Sequence, residues 1–259
     1  MTNYQFNLER AREIDRMYAS PDISAQRNFV MELLALNRGE CVVDIGSGPG
    51  YLLAEMADVV GPTGDVCGLD QSVDMNNVAR KRNSRRSWVR VDEGDVLSLP
   101  YPSDTFDVAV STQVYEYVTD IPRALGELRR VMKPGGRVVI LDTDWDSLVW
   151  NTENRVLHQR ICDAWEEHLV HPRLPRVIAQ QLRRAGFTLV SQRVHVLMNT
   201  ELGENSFSAA AMRSIADFVP GHRGVTKADA EEWVMDLLRR ECAGEYFYSL
   251  NRYACVGTA

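Results

Sequence analysis

The sequence predicts an α/β protein: a doubly wound, mostly parallel sheet of seven strands with a helical lid. Between residues 39 and 146, short apolar stretches typical of buried strands alternate with helical stretches, which favours a parallel sheet with helices on both faces. Of the 259 residues, 45% are hydrophobic, so the chain can bury one large core. The first strand ends in a glycine-rich turn, and ligands of such sheets bind outside the carboxyl ends of the strands.

Residues 1–38 are predicted to form one or two helices that cover the site. Within this segment, one helical face collects the apolar residues Ile23, Phe29, Leu33 and Leu34. The sequence Asn-Arg-Gly at 37–39 is a helix stop and marks the start of the core domain.

Residues 39–146 form the predicted core domain. Its apolar stretches predict five strands, at 40–46, 64–70, 88–95, 105–112 and 137–145. Helical stretches lie between them at 50–61, 72–83 and 121–136. Gly61 ends the first helix, Ser72 is a suitable N-cap for the second, and the Pro-Gly-Gly sequence at 134–136 closes the third.

Residues 147–259 complete the sheet and supply the lid. Two stretches with alternating polarity, 188–200 and 245–257, predict an antiparallel pair of strands at the sheet edge. The helical stretches of this region fall in two insertions, at about 147–185 and about 200–244. The second insertion exceeds the usual length of a connection, which is typical of a functional lid.

The composition argues against several classes of partner. A net charge of −7 and a pI near 5.3 disfavour nucleic acid, and the basic run at 80–86 is interpreted as a solvated helix end. No apolar run is long enough to cross a membrane, and the first residues lack the apolar core of a signal peptide, so we expect a cytoplasmic protein. For the oligomeric state we expect a monomer or a homodimer. The five cysteines are scattered without a C-x-x-C pair, so we expect neither a disulfide framework nor a metal site.

The turn after the first strand has the spacing G-x-G-x-G, at Gly46, Gly48 and Gly50. Glycine permits positive φ and the close approach of a ligand, while the third glycine of a dinucleotide-binding turn is missing. Asp70 ends the second strand, where a carboxylate can bind both hydroxyls of a ribose. Asp95 ends the third strand and can accept a hydrogen bond from an adenine amino group. A plain tight turn, a charge at a helix start and a loop cap are the structural alternatives for these features.

These motifs together resemble the class I S-adenosylmethionine (SAM)-dependent methyltransferases. The resemblance covers about residues 25–145 and is carried by "VVDIGSGPG", "GLDQSVDM", "EGDVLSLPYPSDTFDVAVS" and "RALGELRRVMKPGGRVVILD", in family order. The chain is most similar to the small-molecule branch with the ubiquinone and menaquinone C-methyltransferases (UbiE-like, type 11). The resemblance implies SAM as cofactor, S-adenosylhomocysteine as product and a Rossmann-like fold.

The resemblance also implies roles for individual residues. Asp44 and the three glycines, with Ser47 among them, would hold the methionine part of the cofactor. Asp70 would bind the ribose, with Gln71 beside it. Met75 would pack on the adenine, whose edge would meet Asp95 and Val96. Two residues after the fourth strand would lie under the methionine end, namely Ser111 and Gln113.

Catalytic residues are harder to assign, because methyl transfer is an in-line displacement that chiefly requires alignment and the exclusion of water. The family often has "LEHV" after the fourth strand, but this chain has "VYEYV", which puts a histidine base there in doubt. Asp144, His168 and His171 are the candidate catalytic residues. Tyr115, Asp144 and Trp145 are candidate acceptor contacts, although core packing and an exposed acidic loop are open alternatives.

The predicted function is methyl transfer from SAM to a small, hydrophobic or aromatic acceptor at oxygen, carbon or nitrogen. Apolar residues of the second lid insertion favour such an acceptor, although they can equally serve to bury the lid on the core. Two alternatives stay open: a methyltransferase that acts on protein or RNA, and a module that binds SAM without catalysis.

Overall fold

The computed structural model describes residues 17–259, and the helices and strands of this part follow in chain order. They are α1 (Pro21–Leu34), β1 (Cys41–Ile45), α2 (Tyr51–Val60), β2 (Asp65–Asp70), α3 (Val73–Arg82), β3 (Val89–Glu93), β4 (Phe106–Thr112), α4 (Ile121–Val131), β5 (Met132–Thr143), β6 (Val149–Trp150), α5 (Arg155–Trp165), α6 (Ile178–Arg184), β7 (Thr188–Asn199), α7 (Phe207–Phe218), α8 (Lys227–Cys242) and β8 (Tyr248–Thr258).

The strands form one sheet in the order β3-β2-β1-β4-β5-β8-β7. Strands β1 to β5 pair in parallel, whereas β8 pairs antiparallel with β5 on one side and with β7 on the other. The predicted doubly wound, mostly parallel sheet is thereby confirmed, as is the antiparallel pair at its edge. The short strand β6 pairs with the start of β8 and was not predicted.

Apolar side chains cover both faces of the sheet. One buried cluster joins the sheet to α4 and α6 and includes Leu125, Leu128 and Leu182. The opposite cluster joins it to α1 and α2 and includes Leu34 and Leu53. This layering follows from the buried runs of β1 and β4, which are apolar on both faces.

The helices of the predicted lid have a hydrophobic core of their own. Helices α5, α7 and α8 pack around Trp233, Trp150 and Tyr248, all of which are buried. Asp22 of α1 joins this lid to the core domain, because its Oδ2 accepts a hydrogen bond of 2.6 Å from the backbone N–H of Phe207, the first residue of α7. Asn199 Nδ2 also donates to Asp22, at 3.2 Å.

Two predicted helix ends were wrong. α1 ends at Leu34 rather than near residue 37, and Ala35 closes it in the left-handed conformation. Its buried face includes Val30, whereas Phe29 and Leu33 are only partly buried. α4 ends at Val131, five residues before the predicted end at 136, because Met132 already pairs with Phe106 of β4.

Two other helix signals were correct: α2 ends at Gly61, and Ser72 caps α3 by accepting a hydrogen bond from the N–H of Met75. The predicted helical cover by the N-terminal segment lies outside the described residues as far as residue 16. Among the helices of residues 17–259, none is long and apolar enough to cross a membrane.

Candidate active site

The turn between β1 and α2 depends on its three glycines. Gly46, Gly48 and Gly50 have φ angles of +75°, +50° and +77°. A Cβ added at Gly46 would lie 2.1 Å from Cγ2 of Val114, and one added at Gly50 would lie 2.8 Å from Cβ of Ala79. The turn therefore needs glycine both for its backbone conformation and for the close packing of the segment after β4 and of α3.

Hydrogen bonds fix the path of this turn. The backbone N–H groups of Gly46 and Ser47 donate to the carbonyl of Leu69, at 2.7 and 3.0 Å, and the N–H of Gly48 donates to Oδ2 of Asp70, at 2.9 Å. From α3, Arg82 Nε donates to the carbonyl of Pro49, at 2.9 Å.

The basic run at 80–86 therefore has a structural use beyond that of a solvated helix end. Besides Arg82 at the glycine turn, Arg80 donates to the carbonyl of Val91, and Arg86 forms an ion pair with Asp58.

Two carboxylates lie beside the turn. Asp70 accepts hydrogen bonds from Gly48 and from the N–H of Ser72, and burial nevertheless raises its pKa. Asp44 is 2% exposed, and burial, with the neighbouring Asp70, raises its pKa to about 8. Among the described residues, Oδ1 of Asp44 and Oγ of Ser47 have no hydrogen-bond partner although both atoms are buried. These unpartnered polar atoms fit a ligand with polar and cationic groups, such as the methionine part of SAM.

The residues predicted to contact the adenine are on average more exposed than the glycine turn and Asp44. Met75 is buried in the first turn of α3, and Val96 is partly buried. Asp95 is exposed, lies two residues beyond the end of β3, and accepts a hydrogen bond from the N–H of Leu97. Gln71 is also exposed. The contacts of these four residues with a cofactor stay predictions.

Ser111, near the end of β4, and Gln113, just after it, connect β4 to the neighbouring strands. Ser111 is buried, and its hydroxyl donates to the carbonyl of Ile45 at the end of β1, at 3.0 Å. Gln113 has a φ of +59°, its N–H donates to the carbonyl of Leu141, and its Nε2 donates to Oγ1 of Thr143 at 3.0 Å. The end of β4 is thus tied to β1 on one side and to β5 on the other.

Two of the three candidate catalytic side chains, those of Asp144 and His168, have protein partners. Asp144 is held by Arg176, whose Nε and Nη2 donate to its two carboxylate oxygens at 2.9 and 3.0 Å. His168 is buried, its Nδ1 contacts the carbonyl of Trp165, and burial lowers its pKa to about 4. His171 is partly buried, and its Nε2 has no partner within residues 17–259. A catalytic role for any of the three stays a prediction.

The candidate acceptor contacts differ in their exposure. Tyr115 is fully buried in the core under the sheet, where burial raises its pKa. Trp145 is partly buried and belongs to an aromatic cluster, with ring centroids 5.8 Å from Trp165 and 6.0 Å from His168. Phe218 of the lid joins this cluster at 5.5 Å from Trp165. The geometry favours Trp145 over Tyr115 as a residue that a ligand can reach.

Sequence reasoning missed Glu116 and Arg252. Glu116 lies in the turn after β4 and is 1% exposed, and its Oε2 accepts a hydrogen bond of 3.1 Å from Nε1 of Trp145. Arg252 is 2% exposed and lies on the face of β8 that carries the buried Leu250 and Ala254. A single cation on the apolar face of an alternating strand was the signal that could have identified it.

Tyr18 brings these groups together with the glycine turn. Its hydroxyl lies 3.9 Å from the position of a Cβ on Gly48. Burial raises the pKa of Tyr18 to about 12, and the nearby charges that act on it belong to Arg252, Asp70, Asp44 and Glu116. Asp44, Asp70, Glu116 and Arg252 are therefore all close enough to act electrostatically on the same hydroxyl.

Comparisons with known proteins agree with this arrangement. A family model described as a methyltransferase domain matches residues 18–192. Demethylmenaquinone methyltransferase of Bacillus licheniformis is 34% identical over 117 residues, which are 45% of this chain and 50% of that protein. A transposon-encoded 37.1 kDa protein of Streptomyces fradiae is 36% identical over 135 residues, 52% of this chain and 39% of that protein. The match thus spans half or less of the length of these relatives.

The fold agrees as well. A SAM-dependent methyltransferase from Aquifex aeolicus superposes with a TM-score of 0.56 and 18% identity, over 97% of this chain and 99% of that one. A likeness at this identity shows the fold, while the family match covers most of the chain. The chain therefore belongs to the family of methyltransferase domains.

Proposed function

We propose that this protein transfers the methyl group of SAM to a small organic acceptor with a hydrophobic or aromatic body. The observation that carries the proposal is the turn of three positive-φ glycines beside Asp44, whose buried Oδ1 has no partner among the described residues. When bound, the sulfonium of SAM supplies an activated methyl group that a nucleophile can accept in line with the departing sulfur. The residues of the chain have to hold the two reactants and exclude water.

In this proposal the cofactor lies along the carboxyl ends of β1 to β4. Asp44 and Ser47 bind the methionine part together with the glycine turn, and Asp70 accepts hydrogen bonds from the ribose hydroxyls. The adenine lies between Met75 and the segment after β3. The remaining proposed contacts are Gln71, Asp95, Val96, Ser111 and Gln113.

The aromatic cluster under the lid supports a small acceptor with an apolar body. The rings of Tyr117, Trp145 and Phe218 gather around His168, at centroid distances of 5.9, 6.0 and 5.5 Å. Such rings pack well against planar or apolar ligands. The similarity to demethylmenaquinone methyltransferase supports an acceptor with a quinone-type ring.

Calorimetry with S-adenosylhomocysteine tests the cofactor site. Asp70→Ala should weaken binding more than about tenfold, because a buried, charged hydrogen bond to the ligand is lost. Asp65→Ala is the matched control, since Asp65 is an exposed aspartate at the opposite end of the same strand. Equal affinities in the two variants would contradict the ribose contact.

A radiolabelled methyl-transfer assay against phenol, quinone and amine libraries tests the reaction. Transfer to at least one small acceptor is expected. Tight cofactor binding without transfer to any library would instead favour the module that binds SAM without catalysis, and transfer to protein or RNA alone would contradict the small acceptor.

A further inference from the structure

Arg252 is a buried cation with incomplete compensation. Its guanidinium donates to Oε1 of Gln26 and lies 4.8 Å from the ring centroid of Phe207. Its Nε has no hydrogen-bond partner in the described part of the chain, and burial lowers its pKa. A buried guanidinium is unfavourable unless its donors are satisfied, so the unpartnered Nε points to a ligand that places an acceptor oxygen there.

The strand register places Arg252 beside the cofactor site. Arg252 of β8 pairs directly with Thr143 of β5, and directly paired residues share a face of the sheet. Thr143 in turn accepts the hydrogen bond from Gln113, at 3.0 Å. Gln113, Thr143 and Arg252 therefore form a polar row that begins next to Val114, the residue packed against Gly46.

Glu116 meets this polar row at Thr143 and has the properties of a proton acceptor. Its carboxylate accepts hydrogen bonds from the indole of Trp145, the hydroxyl of Tyr117 and the N–H of Thr143. A carboxylate has about four lone-pair positions, so one remains for a further donor.

The charges around Glu116 suit this role. Burial raises its pKa to about 7, close to the value at which a base works well at neutral pH. The charged or titratable groups that face it are Asp142 from β5, Arg252 from β8, Tyr117 from its own turn and Tyr18 from the segment before α1.

We propose that Glu116 and Arg252 together bind an acceptor that carries an acidic hydroxyl on a conjugated carbon, as in a phenol, an enol or a hydroquinone. The hydroxyl proton moves to the carboxylate of Glu116, and the resulting oxyanion pairs with Arg252. An electron pair of this anion, on oxygen or on the conjugated carbon, forms the bond to the methyl carbon. The bond between methyl carbon and sulfur breaks, and its electron pair stays on sulfur. The proton leaves Glu116 for solvent when the product departs.

Charge balance favours this arrangement. Before the proton transfer the negative charge is on Glu116, and after it the charge is on the acceptor, so Arg252 faces one anion in both of these states. A buried site tolerates the movement of a charge between neighbouring groups far better than the creation of a new one. The proposal rests on the proposed function, and it names the class of acceptor.

The test uses 3-nitrophenol, whose ionised form absorbs visible light, added to protein saturated with S-adenosylhomocysteine just above neutral pH. The wild type should bind the probe as phenolate, with its ionisation shifted down by at least about one pH unit, which corresponds to tenfold tighter binding of the anion. Arg252→Met should abolish the shift, and Arg252→Lys should keep part of it. Arg239→Met, at an exposed arginine of α8, is the matched control and should behave as the wild type.

Proton counting separates the role of Glu116. Calorimetry of 3-nitrophenol binding in two buffers with different ionisation enthalpies should show almost no proton release for the wild type, since Glu116 takes the proton. Glu116→Gln should release about one proton to the buffer for each probe bound. The isosteric 3-nitrotoluene, which has no acidic proton, should bind equally to wild type and Arg252→Met.

A failure of the acceptor proposal can be distinguished from a failure of the cofactor assignment. S-adenosylhomocysteine binding, measured first on each variant, reports whether the protein is folded and the donor site intact. If that binding is normal, any one of three results overturns the proposal. These results are that the wild type binds the probe in its colourless form, that the wild type fails to bind it, or that Arg252→Met keeps the ionisation shift unchanged. If Arg252→Met does not fold, the titrations of the wild type and of Arg252→Lys decide.

Discussion

Asp44 shows at the scale of one residue how the fold prepares a ligand site. Strand β1 carries it into the interior beside Asp70, so that its carboxyl group loses water without gaining a full set of donors. The result is a pKa of about 8, which means that the free protein holds this group largely protonated at neutral pH. An ammonium group bound against it would favour the ionised form.

Binding of S-adenosylhomocysteine at pH 7 should therefore release protons. We expect up to about one proton for each ligand, because the ligand's ammonium group lowers the pKa of Asp44 below the working pH. Calorimetry in phosphate and in Tris, whose ionisation enthalpies differ, measures the number. Asp44→Asn should remove the release, and equal binding enthalpies in both buffers for the wild type would refute the expectation.

Gly46 permits a second prediction at this scale. Gly46→Ala adds a Cβ 2.1 Å from Val114 at a residue with a φ of +75°, whereas Gly244→Ala adds one at +70° with nothing within 4 Å. The backbone strain is similar at about 1–2 kcal/mol, so the clash should make Gly46→Ala less stable by a further 1–3 kcal/mol or so. Chemical denaturation of the two variants checks the difference, and equal stabilities would contradict the packing of Val114 on this turn.

At the scale of elements, the lid depends on a short polar link to α1. The carboxylate of Asp22 caps the first N–H of α7 and binds the side chain of Asn199 at the end of β7. The N–H of Ser208, in the first turn of α7, completes the link by donating to Oδ1 of Asn199, at 3.2 Å.

Asp22→Ala should therefore loosen the lid. Loss of the charged hydrogen bonds should lower the free energy of unfolding by about 2 kcal/mol and speed hydrogen exchange of the α7 amides. Asp217→Ala removes an exposed aspartate at the other end of α7 and should stay within about 0.5 kcal/mol of the wild type. Exchange in α7 that is no faster in Asp22→Ala than in Asp217→Ala would show that Asp22 does not anchor the lid.

The elements that the sequence predicted best are those with strong local signals. Buried runs such as that of β1, the stop at Gly61 and the cap at Ser72 depend on neighbouring residues only, so they can be read from the chain. The end of α4 and the strand β6 depend on pairing with distant residues, Phe106 and Tyr248, and no local pattern reports that.

The same reason limits the site. The glycine turn and Asp70 follow from position after a strand, but Arg252 lies beside Thr143 only because β8 returns between β5 and β7. The alternation of β8 predicts which of its residues are buried. It contains no information about which strand lies alongside, and that pairing places the guanidinium near the turn after β4.

At the scale of the whole molecule, burial raises the pKa of several described carboxyl groups, among them Asp70 and the more deeply buried Asp44, Glu116 and Asp142. Their folded-state pKa values exceed the unfolded ones, so the folded state binds more protons and stability falls as the pH rises. Buried histidines such as His168 have the opposite sign, but they are largely neutral in both states above about pH 7.5.

The ligand-free protein should therefore lose stability between about pH 7.5 and 8.5, by up to about 1.4 kcal/mol per pH unit for each proton involved. Urea denaturation at several pH values measures the slope. The double variant Asp44→Asn, Glu116→Gln should have a flatter profile, because the amides do not titrate. A wild-type stability that is constant or rises over this range would show that these carboxyl groups are ionised in the free fold.

The position of β8 between β5 and β7 also matters while the chain is being synthesised. Until residues 248–258 leave the ribosome, β7 lacks β8, the strand with which it pairs. Its unpaired backbone and its exposed side chains Val194, Val196 and Met198 can then associate with other chains. Nascent chains whose synthesis pauses before β8 are thus the species most prone to aggregate. Slower expression in the cold, or more trigger factor and Hsp70, should raise the yield of folded protein.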